Sequence, residues 1–95
     1  MKQYVYDFYS IDSGYWVLPT SVDIDLTGYN TVYIVNLTAR PIIVPFPGGV
    51  TLGQYQKLQL KGNDNEIYFS KLTINFKKVI PAIKGEAVII RKKYI

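Results

Sequence analysis

Val22, Ile24 and Leu26 alternate strictly with Ser21, Asp23, Asp25 and Thr27, and this period of two constrains the chain more than any other feature. Successive side chains point to opposite sides only in an extended strand, so the pattern specifies a strand with one buried and one wet face. The same alternation sets Leu72, Ile74 and Phe76 against Lys71, Thr73, Asn75 and Lys77, and Leu58 and Leu60 against Lys57, Gln59 and Lys61. Composition agrees, because Val, Ile and Thr supply 27 of the 95 positions while Ala supplies 3. β-Branched side chains lose rotamer freedom in a helix and pack well on a pleated surface, so helix is the losing alternative nearly throughout.

Near the start, Tyr4, Tyr6 and Phe8 alternate with Val5, Asp7 and Tyr9, so aromatic rings occupy both faces of the first strand and both faces are candidates for cover. Thr31 to Leu37 and Glu86 to Ile90 are denser apolar runs, short enough to be central strands packed on two sides. Turn signals fall at Ser13-Gly14, Gly28, Pro47-Gly48-Gly49, Gly62-Asn63-Asp64-Asn65 and Lys84-Gly85, dividing the chain into about seven or eight short strands. The expected fold is all-β: a single antiparallel β-sandwich or jelly-roll-like domain over residues 1–95, with a partly open barrel as the alternative. Its expected core includes Val22, Ile24, Val32, Ile34, Leu58, Leu60, Leu72, Ile74, Phe76, Val88 and Ile90. No internal repeat or low-complexity linker divides the chain.

The sequence contains neither cysteine nor histidine, which removes disulfides, thiolate zinc sites, thiol nucleophiles and imidazole acid–base chemistry together. No cofactor and no catalytic residue is expected, and the reading is of a protein that is not an enzyme. Lys2 is followed by Gln3-Tyr4-Val5-Tyr6-Asp7, so no secretory signal peptide is expected, and no apolar run is long enough to span a membrane. Asp23-Ile24-Asp25-Leu26-Thr27-Gly28 imitates the opening of a calcium loop, but the twelfth position is Ile34 where a bidentate Glu is required. It reads instead as a solvated strand face entering a glycine turn, and no metal is assigned. Asn63 to Glu66 reads as an Asx-type turn, and Pro47 to Gly53 lacks the Gly-Lys-Ser/Thr ending of a phosphate loop. Asn36-Leu37-Thr38 matches a glycosylation sequon by coincidence.

Two features point toward partners. Nine tyrosines exceed what a core of this size needs, and tyrosine and tryptophan favour boundaries between apolar and wet surface. Tyr4, Tyr6, Tyr9, Tyr15 and Trp16 make residues 1–16 as much an aromatic docking arm as a core strand. Pro41 and Pro45 flank Ile42-Ile43-Val44 and delete ladder donors, so Pro41, Ile43, Pro45 and Phe46 are expected along a sheet edge or a subunit contact, covered by self-association. Charge is polarised along the chain: residues 71–95 hold seven basic residues against Glu86 alone, whereas residues 1–70 hold four basic against six acidic. Lys71, Lys77, Lys78, Arg91, Lys92 and Lys93 are therefore expected to meet an acidic partner, either protein or nucleic acid. Tyr68, Phe69, Phe76 and Tyr94 lie among them, the mixture that single-strand binders use, although only two of the eleven basic residues are Arg.

Val35-Asn36-Leu37-Thr38-Ala39-Arg40-Pro41-Ile42-Ile43-Val44, Pro47-Gly48-Gly49-Val50-Thr51-Leu52 and Ala87-Val88-Ile89-Ile90-Arg91 together resemble small β-sandwich virion proteins of tailed bacteriophages, of the head decoration or auxiliary capsid type. The resemblance is one of strand and turn rhythm over the middle and end of the chain. It implies a multimeric, non-enzymatic structural subunit on a virion assembled in the host cytoplasm, contacting copies of itself or the major capsid protein; that no membrane partner is expected follows instead from the want of an apolar run long enough to span. A nucleic-acid-binding barrel and a carbohydrate-binding sandwich stacking sugars on Trp16 and tyrosines are the alternatives.

Overall fold

The computed structural model describes residues 3–15, 18–45, 49–62 and 71–94. They form eight strands: β1 (Tyr4–Gly14), β2 (Thr20–Asp25), β3 (Thr31–Asn36), β4 (Ile42–Val44), β5 (Val50–Leu52), β6 (Lys57–Lys61), β7 (Lys71–Phe76) and β8 (Gly85–Tyr94). Two four-stranded sheets result, ordered β1-β8-β3-β6 and β2-β7-β4-β5, and every strand pair is antiparallel. The all-β antiparallel sandwich expected from the alternation is the fold. Trp16, Phe46 and the Asn63 to Glu66 turn lie outside the described residues.

The inner faces meet over Ile24, Leu26, Val32, Ile34, Ile42, Val44, Leu52, Leu72, Ile74, Phe76, Ala87 and Ile89, with Val22, Leu58 and Leu60 packed at the margin. Each aliphatic side chain removed from water this way contributes about 1.5–3 kcal/mol against the entropy of ordering the chain. The inward residues of β2 and β7 are those that the period of two selects, because each strand has a single wet face. Asp23 and Asp25 lie on that face: Asp23 accepts a hydrogen bond from Thr73 Oγ1 at 2.7 Å, and Asp25 Oδ1 accepts the Thr27 N–H at 3.0 Å.

Three expectations are corrected. Val88 and Ile90 are only half-buried and lie on the outer face, whereas Ala87 and Ile89 point inward. An unbroken apolar run carries no phase, so pairing decides: Ala87 sits opposite Ile11 and Asn36, and Ile89 opposite Tyr9 and Ile34. The segment between Pro41 and Pro45 is not a sheet edge, because β4 lies between β7 and β5. Both prolines stand just outside the strand and so cost the ladder no donor. Lys84-Gly85 is not a turn. Gly85 opens β8 at a point where a Cβ would run into the Phe76 ring and stand 2.7 Å from Ser13 Oγ, so glycine is required there by close packing.

Candidate functional site

The sandwich has two outer faces of opposite character. On β2 and β7 the outer face is polar and knitted together, with Ser21 bonded to Asn75 at 2.6 Å, Thr73 to Asp23, and Lys71 standing 3.8 Å from Asp23. On the other sheet the pleat aligns Phe8, Ile90 and Tyr33 in one cross-strand row and Ser10, Val88 and Val35 in the next. A third row joins Tyr6, Lys92, Thr31 and Lys61. Phe8 is 71% exposed and Tyr6 is 61% exposed, whereas Ile90, Tyr33, Val88 and Val35 are half-buried and Thr31 is buried, so the apolar outer face is most open along β1. β1 also forms the outer edge of its sheet, leaving one side of its backbone without a strand partner among the described residues.

Of the expected contact residues, Tyr4 and Tyr6 lie on this outer side, with the Lys92 ammonium 4.4 Å from the Tyr4 ring centroid. Tyr9 turns inward against the core, Tyr15 is exposed in the loop after β1, Pro41 and Ile43 are half-buried, and Pro45 is exposed. β1 is paired with β8 from Tyr4 to Gly14.

The six basic residues divide between two ends. Lys71, Arg91, Lys92 and Lys93 share one end, while Lys77 and Lys78 follow β7 at the other, about 17 Å away along a six-residue strand. Arg91 is fully engaged. Its Nε and Nη2 donate to the two Asp7 carboxylate oxygens at 2.9 and 2.6 Å, and Nη1 donates to the Asp25 carbonyl at 2.7 Å. The guanidinium also lies 4.3 Å from the Tyr29 ring centroid and 5.0 Å from that of Tyr9. Hydrogen bonding to Arg91 holds the Asp7 carboxyl below the usual carboxylate range despite partial desolvation, and the Tyr29 hydroxyl, donating at 2.7 Å, adds to this. That same bond raises the Tyr29 phenol, and burial raises Tyr9. The cluster clasps β1, β8 and the β2–β3 turn together.

Arg40 is the residue that sequence reasoning passed over. Its side chain is fully buried between the sheets, with no acidic partner among its hydrogen bonds. Nε donates to the Lys77 carbonyl at 2.8 Å, Nη2 to the Leu18 carbonyl at 2.7 Å, and Nη1 to Ser13 Oγ at 3.0 Å and the Ile83 carbonyl at 3.4 Å. Asn36, equally buried, ties the adjoining backbone by donating to the Arg40 and Leu52 carbonyls. The interior beside the apolar core is thus occupied by a satisfied polar staple. Among the described residues no three His, Cys, Asp or Glu side chains converge as metal ligands.

No protein-family model matches this chain, and no curated protein matches it. Solved structures do. A cupin-2 domain of an XRE family transcriptional regulator from Enterobacter cloacae aligns with 90% of this chain and 79% of its own, at 10% identity and a TM-score of 0.60. A cupin-2 domain containing protein from Shewanella frigidimarina aligns over 90% and 68%, at 10% identity and 0.54. A chain from Bacillus endospore appendages, described as disulfide-linked pili, aligns over 100% and 91%, at 13% identity and 0.53. The fold is cupin-like. At such identities the likeness concerns the fold alone. It nevertheless overturns the expected virion function, since the leading structural neighbours are cupin-2 domains and not virion proteins. The rhythm that suggested a phage subunit belongs to any small sandwich with strands and turns of these lengths.

Proposed function

We propose that this chain is a self-associating, non-catalytic cupin-like domain whose outer β1-sheet face meets a second copy of itself. The observation that carries the reading is the Phe8–Ile90–Tyr33 row, an apolar stripe crossing three strands with Phe8 71% exposed, on a sandwich whose opposite face is polar. An exposed aromatic side chain continued by half-buried apolar neighbours across a sheet face is the kind of surface that marks contact sites. Charge favours a second copy. Asp12, which stands 3.8 Å from Lys84, and Glu86 sit at one end of the face beyond Lys57, and Lys61 and Lys92 sit at the other. A two-fold axis lying across the strands stacks β1 over β1 and brings each acidic end over its partner's basic end, in an isologous, aligned sheet packing. The appendage neighbour is described as forming pili through disulfides; this sequence has no cysteine, so its own association would be non-covalent.

Light scattering on a sizing column, across a concentration series, tests this. Twice the chain mass is expected for the wild type and the single chain mass for Phe8→Asp, with Tyr6→Ser intermediate. A wild-type monomer at every concentration, or a dimer that ignores Phe8→Asp, would overturn the reading.

A further inference from the structure

We propose a second docking site, independent of the sheet face: the Arg40 end of the sandwich binds anionic lipid surfaces. Four large apolar side chains gather there on two loops, with Ile80 79% exposed, Tyr15 73%, Leu18 66% and Ile83 37%. Leu18 and Ile83 are distant in sequence, and Arg40 draws their backbones together with Ser13 and Lys77 by bonding all four, while Tyr15 and Ile80 lie on the same two connections. Lysines bracket the second loop in the run Lys77-Lys78-Val79-Ile80-Pro81-Ala82-Ile83-Lys84. Lys84 stands 3.8 Å from Asp12, while Lys77 and Lys78 are exposed and take part in none of the ion pairs among the described residues. Glu86, half-buried one pair further up β8, is the other acidic group nearby.

The backbone of this end is suited to entering a bilayer. A loop entering the headgroup and acyl boundary must not carry unsatisfied carbonyls with it. Here the Leu18, Lys77 and Ile83 carbonyls turn inward to the guanidinium, and the apolar side chains of Leu18, Ile80 and Ile83 are left outward. The apolar groups also lie where β1 and β7 end and β2 and β8 begin, at one end of the sandwich and not on a sheet face, a placement suited to shallow insertion. Lysine stems lie along such a boundary with their ammonium groups at the level of lipid phosphates and carboxylates. The absence of a membrane partner expected from the sequence rested on spanning segments; surface docking needs none.

Co-sedimentation with vesicles of phosphatidylcholine, with and without phosphatidylserine, is the test. Binding is expected to the serine-containing vesicles and to weaken by about fivefold for each of Lys77→Gln and Lys78→Gln, in line with the usual worth of one basic residue at an anionic surface. Added salt should weaken it likewise. The double variant Leu18→Ser/Ile80→Ser should abolish it while leaving the urea midpoint unchanged, because both side chains are solvent-facing. Phe8→Asp should leave vesicle binding intact, which separates this proposal from the dimer reading. The proposal is overturned by equal binding to both vesicle types, by no binding to either, or by a tip double variant that still sediments. A tip double variant that alters only the mass in light scattering would assign the tip to a second copy of the chain instead.

Discussion

Arg40→Met replaces the buried guanidinium with an uncharged chain of similar reach, and the cost follows from what is left behind. The Lys77 and Leu18 carbonyls lose bonds of 2.8 and 2.7 Å, and Ser13 Oγ loses one of 3.0 Å. Ser13 is the least affected, since it still accepts the Gly85 N–H at 2.9 Å and donates to the Gly14 carbonyl. The Ile83 bond, at 3.4 Å, is marginal. Two orphaned carbonyls at about 1–3 kcal/mol each, less what is regained by no longer burying a charge, place the loss near about 3 kcal/mol. Against a total of roughly 5–10 kcal/mol for a domain of this size, that is a third or more of the stability. With a urea slope of about 1–1.5 kcal/mol per molar, the midpoint should fall by about 2–3 M, with the slope itself unchanged. Urea titration followed by tyrosine fluorescence measures it. A shift below about 0.5 M would refute the reasoning, for it would mean that water or loop relaxation satisfies those carbonyls as well as the guanidinium does.

Gly85→Ala should destabilise the fold by about 1–3 kcal/mol in the same titration, because the added methyl meets the Phe76 ring and Ser13 Oγ and the backbone there is paired on β8. Asn36→Ala should cost about 2–4 kcal/mol by orphaning the Arg40 and Leu52 carbonyls and the Thr38 N–H, whereas Lys71→Ala, on the polar outer face, should change the stability by less than about 0.5 kcal/mol. The Asp7 carboxyl is depressed by Arg91, so its stabilising effect is present above the unfolded carboxylate value of about 3.9 and is lost as pH falls through its lower folded value. Midpoints measured from neutral pH into acid should decline there, and Asp7→Asn should flatten that limb; because the pair is partly open to solvent, added salt should shallow it too.

Much of the sandwich was legible because alternation is a local property. The inward positions of β2 and β7 follow from polar residues marking every second site, and no knowledge of the partner strand is needed to see Ile24 or Ile74 as core. β8 has no such markers. Ala87 to Ile90 are all apolar, so the inward pair is set by register against β1 and β3, a long-range matter. The prolines around β4 showed correctly where the strand stops but not which strands lie beside it, since sheet order comes from how the chain crosses between layers.

The candidate surfaces divide in the same way. The tyrosine-rich start of the chain was visible, and so were aromatic side chains on both sides of β1; which side stays bare was decided by the second sheet, which covers Tyr9 and Ile11 and leaves Tyr6 and Phe8 in solvent. Arg40 carried no sequence signal, being a lone cation in a loop whose burial depends on three carbonyls and a hydroxyl supplied from positions 22 to 43 residues away. The sequence by itself determined the strands, the inward faces of β2 and β7 and the want of thiol and imidazole chemistry, because these are fixed by neighbours and by composition. Tertiary structure alone decided the bare sheet face and the lysine-flanked apolar tip, because both require segments far apart in the chain to close on one another.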